Sequence, residues 1–179
     1  ESLCSRFYAL ASKIHFISYF YNMSHLSDSM RILRHLTLYR VLNLLLLKIS
    51  YYWSKWTKQT MHLGLPFSLS IEPTTACNLG CPECPSGLKQ FTRPTGKLAL
   101  DLHEKMLAQV SKSVFYINYY FQGEPFLHPD FLQLIRQAKT HKIYTATSTN
   151  AHFIDEKKAL EIVDSGLGRL IISIDGLTQ

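Results

Sequence analysis

The chain has 179 residues, of which 46% are hydrophobic, 12% aromatic and 18% charged, and its formal net charge is +6. This composition excludes a disordered chain, a collagen-like repeat and a disulfide-dense small protein, and the length suits one domain with an extension. The excess charge lies in residues 1–64, which hold eight basic and two acidic residues, whereas residues 65–179 hold eleven of each. We therefore expect a basic N-terminal extension, 1–64, followed by a neutral globular domain, 65–179.

Residues 31–59 of the extension are rich in Leu and aromatic side chains and contain neither Gly nor Pro, which predicts a helix. Arg34, Arg40 and Lys48 interrupt the most apolar window, so a membrane-spanning helix is disfavoured. Two alternatives remain open. The helix either lies peripherally at the inner face of the membrane, with aromatic residues among the headgroups, or packs against the globular domain. Because the domain is neutral, nucleic acid is not expected as a partner.

The globular domain alternates predicted strands and helices. Alternating, β-branched or aromatic patterns predict strands at 67–71, 114–121, 143–148 and 170–174. Helices are predicted between them, with starts marked by a capping box at Asp101-x-x-Glu104, by Pro129 and by Asp155. The order β-α-β-α-β-α-β, with connections long enough for right-handed crossovers, predicts a parallel sheet of the α/β class.

Polar residues follow each predicted strand. They are Glu72 and Thr74, Gln122 and Glu124, Ser148 and Asn150, and Ser173 and Asp175. The carboxyl ends of parallel strands meet at one edge of a sheet, and α/β folds form their sites there. We therefore expect the functional site at this edge.

Three of the four cysteines, Cys77, Cys81 and Cys84, follow the first strand with the spacing C-x3-C-x2-C, while Cys4 stands alone. A disulfide framework would spread its cysteines along the chain, so the three clustered cysteines indicate metal ligation in the reducing cytoplasm. Four thiolates would close a [4Fe-4S] cluster, whereas three leave one iron open to a reacting ligand.

Other functions remain open on the residues alone. A structural zinc site would need a fourth ligand such as His103, and Cys81 and Cys84 alone could form a redox pair. A non-enzymatic, membrane-associated binding module is the third alternative, with the extension as its working part. The zinc alternative explains none of the polar strand ends.

The C-x3-C-x2-C loop resembles the signature of the radical S-adenosylmethionine (radical SAM) superfamily. Gly123-Glu124-Pro125, Ser148-Thr149-Asn150 and Ser173-Ile174-Asp175-Gly176 resemble the motifs at its next three strands. The stretch 71–87, with FQGEP, TSTNA and IISIDG, is similar to the branch that often carries a C-terminal SPASM domain. This resemblance covers roughly residues 65–179. It implies a partial (β/α) barrel with four parallel strands after the helical extension, and hence an N-terminal fragment of the six-stranded core.

The resemblance also implies a cofactor set and roles for residues. The three cysteines would carry a [4Fe-4S] cluster that binds S-adenosylmethionine (SAM) and cleaves it reductively to a 5′-deoxyadenosyl radical, which abstracts hydrogen from a peptide or protein. An electron donor such as flavodoxin or ferredoxin is implied as a partner. Glu124 would accept hydrogen bonds from the methionine ammonium, and Gly123 would let the backbone approach. Contacts to the carboxylate or ribose of SAM are implied for Ser148, Asn150, Ser173 and Asp175.

Overall fold

The computed structural model describes residues 28–174. In chain order, its helices and strands are α1 (Leu38–Thr57), β1 (Ser68–Ser70), α2 (Leu100–Val110), β2 (Tyr116–Asn118), α3 (Phe131–Thr140), β3 (Tyr144–Thr149), α4 (Glu156–Ser165) and β4 (Arg169–Ile172). The four strands form one sheet in the order β1-β2-β3-β4, and every neighbouring pair is parallel. The predicted α/β class and parallel sheet are therefore confirmed.

One face of the sheet is covered by helices. Ile117 and Ile143 belong to the core that includes Leu107 of α2 and Leu134 of α3, and the partly buried Leu69 packs against this core. Because side chains alternate along a strand, the neighbouring residues point to the opposite face. There the rings of Tyr116 and Tyr144 stack with centroids 5.5 Å apart. A parallel sheet with α2 and α3 packed on one face is the arrangement of a partial (β/α) barrel.

The predicted helix starts are only partly correct. Asp155 caps α4 by accepting a hydrogen bond from the Lys158 backbone N–H at 2.6 Å, as predicted. The capping box at Asp101 is wrong, because α2 starts after Ala99 and its Glu104 instead contacts His141 at 2.7 Å. Pro129 lies before the N-cap of α3 rather than in its first turn.

The helix predicted over residues 31–59 is divided. Residues 28–33 form a separate helical segment, and α1 begins only at Leu38. The physical reason is a cap, since the Thr37 hydroxyl accepts a hydrogen bond from the Arg40 backbone N–H at 3.3 Å. The division of the chain between residues 64 and 65 stays a prediction.

The buried residues of helix α1 are all polar, whereas most of its apolar side chains are exposed. Its buried residues are Arg40, Asn43 and Ser50. The Asn43 amide exchanges two hydrogen bonds of 2.8 Å with the Leu65 backbone, so the polar face binds the returning chain. The exposed apolar residues include Leu45, Ile49, Tyr52, Trp53 and Trp56. Within residues 28–174 the apolar face of α1 is therefore exposed, and the choice between membrane contact and packing against the domain stays a prediction.

Arg40 fixes α1 against the amino ends of the strands. Its guanidinium is 2% exposed and donates to the backbone carbonyls of His35, Ser111, His141 and Lys142, at 2.5, 2.7, 3.3 and 2.7 Å. Ser111 follows α2, and His141 and Lys142 follow α3, so one cation satisfies carbonyls that two helix ends leave open. Within residues 28–174 no helix is long and apolar enough to cross a membrane.

Candidate active site

The loop that carries the cysteines leaves the sheet after β1 and closes on itself. Thr74 and Lys97 form an antiparallel bridge, and the Leu98 backbone N–H donates to the Pro73 carbonyl at 2.9 Å. The Thr74 hydroxyl adds a hydrogen bond of 2.9 Å to the Gly96 carbonyl. These contacts define the cysteine loop, residues 75–97, and hold its base at the carboxyl end of β1.

All three clustered cysteines are free and partly buried. The Cys84 backbone N–H donates to the Cys81 carbonyl at 3.2 Å, which turns the chain between these two residues. Gly87 packs against the same turn, since a Cβ there would lie 2.5 Å from the Cys81 nitrogen. The absent side chain of Gly87 therefore lets the loop fold tightly around Cys81.

The donor set fits an iron–sulfur cluster. Three half-buried thiols lie on one short loop, and Cys81 and Cys84 are not joined in a disulfide. Within residues 28–174, no three side chains of ligating type are arranged to hold a single metal ion. Thiolates on a [4Fe-4S] cluster bind separate irons and need not converge on one ion, as zinc ligands must.

The turn after β2 lies directly on the start of the cysteine loop. The Glu124 backbone N–H donates to the Ala76 carbonyl at 2.7 Å. Gly123 adopts φ +78°, and a Cβ on it would lie 2.2 Å from the Thr74 carbonyl oxygen. Only glycine satisfies both conditions at this position, because other residues rarely adopt positive φ and any side chain would collide with the backbone.

The carboxylate of Glu124 joins the ends of β2 and β3. It is 2% exposed. Its Oε1 accepts hydrogen bonds from the Thr149 hydroxyl at 2.7 Å and the Phe126 N–H at 3.2 Å, and its Oε2 accepts one from the Asn150 N–H at 2.9 Å. Because each carboxylate oxygen accepts about two hydrogen bonds, one position remains at Oε2. The predicted contact between Glu124 and a methionine ammonium stays a prediction.

The ends of β3 and β4 complete this edge of the sheet. The side-chain amide of Asn150 donates to the Asn78 Oδ1 at 2.8 Å, which ties β3 to the residue after Cys77. The hydroxyls of Ser148 and Ser173 lie 3.2 Å apart. Asp175 lies outside the described residues. The structure therefore brings five of the six residues predicted to contact SAM to the edge that carries the cysteine loop.

Sequence reasoning missed Ser86 and its contacts. The Ser86 hydroxyl is buried, accepts a hydrogen bond from the Gly123 N–H at 3.1 Å and donates to the Gln122 Oε1 at 2.8 Å. The same Gln122 oxygen lies 3.5 Å from the Cys84 Sγ. Ser86 and Gln122 are 36 residues apart, so no local pattern indicates the pair. The only signal is that each lies within two residues of a recognised motif.

The zinc alternative with His103 as fourth ligand is wrong. His103 is fully buried on α2, with its Nδ1 2.7 Å from the Gln137 Oε1 and its Nε2 2.7 Å from the Tyr119 hydroxyl oxygen. Both ring nitrogens therefore have partners in the core. Burial lowers the pKa of His103 below its ordinary value of 6.5, because it disfavours the charged imidazolium.

Curated relatives match almost two thirds of the chain. The PqqA peptide cyclase of Rhodopseudomonas palustris is 27% identical over 113 residues, which cover 63% of this chain and 30% of the relative. The mycofactocin maturase MftC of Mycobacterium ulcerans is 33% identical over 117 residues, which cover 65% of this chain and 31% of the relative. The chain thus spans about a third of the length of these relatives.

Solved structures share the fold. BtrN in complex with AdoMet and 2-DOIA matches with a TM-score of 0.56 and 22% identity, over 63% of this chain and 48% of that one. SuiB of Streptococcus suis, bound to S-adenosylmethionine, matches with a TM-score of 0.50 and 23% identity, over 70% of this chain and 28% of that one. The family model described as the Radical SAM superfamily matches residues 71–179, which include the cysteine loop and all four strand-end motifs. The chain therefore belongs to the radical SAM superfamily.

Proposed function

We propose that this protein is a radical SAM enzyme that modifies a peptide or protein. The observation that supports this most is the attachment of the cysteine loop to the Gly123–Glu124 turn, through the 2.7 Å hydrogen bond between the Glu124 N–H and the Ala76 carbonyl. When bound, a [4Fe-4S] cluster and SAM supply a 5′-deoxyadenosyl radical that abstracts hydrogen. The protein's part is to hold both groups at the carboxyl edge of the sheet.

The residues at the carboxyl edge of the sheet offer hydrogen-bond donors and acceptors that suit the polar groups of SAM. Glu124 has one open acceptor position at Oε2, which suits a donor such as the methionine ammonium. Ser148, Asn150 and Ser173 offer hydroxyl and amide groups for the carboxylate or ribose, and Asp175 extends the set along the sequence. Cys77, Cys81 and Cys84 would bind three irons.

Anaerobic reconstitution tests the cofactor set. The full-length protein is incubated with iron and sulfide, and iron content and absorption are compared with those of variants in which Cys77, Cys81 or Cys84 is replaced by Ala. We expect a brown cluster in the wild type, its loss in each variant, and release of 5′-deoxyadenosine from SAM with dithionite as reductant. Stoichiometric zinc without iron would overturn the proposal.

A peptide substrate is supported by the relative named PqqA peptide cyclase. The substrate class can be tested by isotope transfer. Cells are grown in deuterated medium, and their peptide and small-molecule fractions are offered separately to the reconstituted enzyme with SAM. We expect deuterium in 5′-deoxyadenosine from the peptide fraction; incorporation from the small-molecule fraction alone would exclude a peptide substrate.

The proposed electron donor is an acidic one-electron carrier, flavodoxin or ferredoxin. Residues 85–100 contain three basic residues and no acidic one, and Lys89 and Lys97 are exposed on the cysteine loop. Opposite charges steer such encounters, and salt screens them. We expect cluster reduction by flavodoxin to slow with salt and with Lys89→Glu/Lys97→Glu, while reduction by dithionite is unchanged. Equal rates in the double variant would exclude this docking surface.

We also propose that α1 holds the protein at the inner, cytoplasmic face of an anionic membrane. Residues 29–71 contain six basic residues and no acidic one. The exposed face of α1 combines Ile49, Trp53 and Trp56 with the exposed Lys48 and Lys55. Aromatic and aliphatic groups with flanking lysines are the composition of an interfacial helix.

Vesicle flotation separates lipid binding from other uses of this face. We expect the full-length protein to bind vesicles of phosphatidylglycerol and not of phosphatidylcholine, and Trp53→Ala/Trp56→Ala to lower binding at least tenfold. Leu160→Ala/Val163→Ala, which removes exposed apolar groups of α4, serves as the control. A dimer that dissociates in the Trp variant, with no vesicle binding by the wild type, would assign the face to a second copy instead.

A further inference from the structure

We infer that Gln122 donates a hydrogen bond to the Cys84 thiolate and that Ser86 orients it, so that the two residues set the reduction potential of the cluster. This inference rests on the proposed function, because it requires Cys84 to be a cluster ligand. Gln122 and Ser86 are positioning residues in this role, since neither would bind iron or SAM.

The side-chain amide of Gln122 lies between the sulfur of Cys84 and the hydroxyl of Ser86. The Gln122 Oε1 lies 2.8 Å from the Ser86 Oγ and 3.5 Å from the Cys84 Sγ. With Cys84 as a thiol, the oxygen accepts from both the hydroxyl and the S–H group. The network is closed on the other side, because the Gly123 N–H donates to the Ser86 Oγ at 3.1 Å.

When Cys84 binds iron, the Gln122 amide must donate a hydrogen bond to the sulfur instead of accepting one from it. A thiolate has no proton to donate, so the amide oxygen would face negative charge. Turning the amide by half a rotation puts its nitrogen in the same place, with one N–H for the thiolate and one for the Ser86 oxygen. Ser86 can accept both this hydrogen bond and the existing one from Gly123, since a hydroxyl has two acceptor lone pairs. The thiolate and both N–H groups of the amide then have partners.

Hydrogen bonds to the sulfurs help to set the potential of an iron–sulfur cluster. A donor at Cys84 stabilises the reduced cluster more than the oxidised one, because the reduced cluster carries one more negative charge. Gln122 and Ser86 would therefore make the cluster easier to reduce. The pair is also anchored in the site, since Ser86 is 8% exposed and Gln122 precedes the Gly123 turn.

Redox titration of the reconstituted full-length protein tests this inference. The variants are Gln122→Leu, which removes the donor, and Gln122→Glu, which replaces it with a charged acceptor. We expect Gln122→Leu to lower the midpoint potential by about 59 mV, a tenfold change for one electron, and Gln122→Glu to lower it further. Gln90→Leu, in an exposed part of the same loop, is the control and should not shift it.

Ser86 provides the second comparison and does not depend on the Gln122 variants binding a cluster. Ser86→Ala should lower the potential in the same direction by a smaller amount, and Ser86→Thr, which keeps the hydroxyl, should restore it. Unchanged potentials in Gln122→Leu and Ser86→Ala, with iron content equal to that of the wild type, would overturn the inference. Failure of the wild type to bind iron would instead overturn the proposed function.

Discussion

The two ends of the sheet are each held by one buried charge, of opposite sign. Arg40, at the amino ends of the strands, and Glu124, at the carboxyl ends, are both 2% exposed. Within residues 28–174 neither forms an ion pair, and backbone groups supply most of their partners. The cation Arg40 thus pairs with backbone carbonyls that helix ends leave unpaired, and the anion Glu124 pairs with backbone N–H groups that turns leave unpaired.

Arg40 and Glu124 differ in the hydrogen-bonding capacity that each leaves for a ligand. Arg40 uses both terminal nitrogens on four carbonyl oxygens, so all of its hydrogen-bond partners are main-chain groups. Glu124 keeps one acceptor position, and its partner Asn150 also binds Asn78 of the cysteine loop. In parallel barrels the amino end serves stability and the carboxyl end serves chemistry. Substitutions at the two ends should separate these properties.

Replacement of Arg40 by Ala should cause the largest loss of stability. It leaves four carbonyl groups without their donor, and each buried group left unpaired costs about 1–3 kcal/mol. We expect the free energy of unfolding in urea to fall by about 3 kcal/mol or more, with the iron bound per folded protein unchanged. Arg40→Lys should recover only part, because an ammonium cannot reproduce the fork of the guanidinium.

The exposed Arg34, on the same segment of chain, gives the control. Arg34→Ala should change the free energy of unfolding by a few tenths of a kcal/mol, at about the level expected for surface positions. A loss of iron binding in Arg40→Ala, at temperatures where it stays folded, would show that the amino end also shapes the site.

Replacement of Glu124 by Ala should destabilise the protein less and affect ligand binding more. Three donors lose a charged acceptor, of which the Asn150 N–H and the Thr149 hydroxyl are the closest. We expect a loss of about 2 kcal/mol in urea unfolding, together with loss of SAM binding by equilibrium dialysis. Glu124→Gln keeps the shape but turns an N–H₂ group towards a donor, so it should lose SAM binding with a smaller loss of stability.

Glu156, exposed in the first turn of α4, is the matched control for this pair of variants. Glu156→Gln should leave SAM binding unchanged. If Glu124→Gln bound SAM as well as the wild type, the Glu124 carboxylate would contribute to stability alone. The two ends of the sheet would then not differ in function.

Replacement of Gly123 by Ala should disturb the cysteine loop locally. The new Cβ would lie 2.2 Å from the Thr74 carbonyl oxygen in a backbone of φ +78°, and such strain costs about 1–3 kcal/mol. The base of the loop should shift, so we expect iron content to fall more than the urea midpoint. Gly80→Ala, where a Cβ meets nothing within 4 Å, is the control in the same loop. Equal iron content in both variants would contradict the close packing.

The sequence predicts the scaffold well because local physics determines it. Phe131, Leu134, Ile135 and Ala138 recur at helical spacing, and all four are buried on α3. Asp155 and Gly166 mark the two ends of α4 by their caps, and Gly166 has the expected positive φ of 81°. Such signals depend on residues within one or two turns, so no tertiary contact is needed to interpret them.

The sequence predicts the site by its motifs and not by its contacts. Gly123 and Glu124 are identified from their order after a strand, yet the carboxylate's partners Thr149 and Asn150 come from the next strand. In the sequence Arg40 indicates only an obstacle to membrane insertion, because three of its four carbonyl partners lie 71 to 102 residues away. Pairings across such distances depend on the sheet order, which no local pattern specifies.

The smallest expected effect comes from the core between the two ends, where His103 titrates. Burial lowers its pKa, so on acidification the unfolded chain takes up a proton near pH 6.5 while the folded protein does not. Stability is therefore complete above about pH 6.5 and falls below it, by at most about 1.4 kcal/mol per pH unit. Urea unfolding between pH 7.5 and 5.5 should show this slope, and His103→Gln should reduce it, whereas the exposed His152→Gln should not.

This titration also tests whether the two ends act independently. The side chains that bind His103, Gln137 and Tyr119, bind neither Arg40 nor Glu124. Effects at sites without shared partners usually add. The acid-induced loss should therefore be the same in Arg40→Lys, Glu124→Gln and the wild type. A larger acid-induced loss of stability in only one of these variants would mean that the core is coupled to that end of the sheet. The two ends would then not be energetically independent.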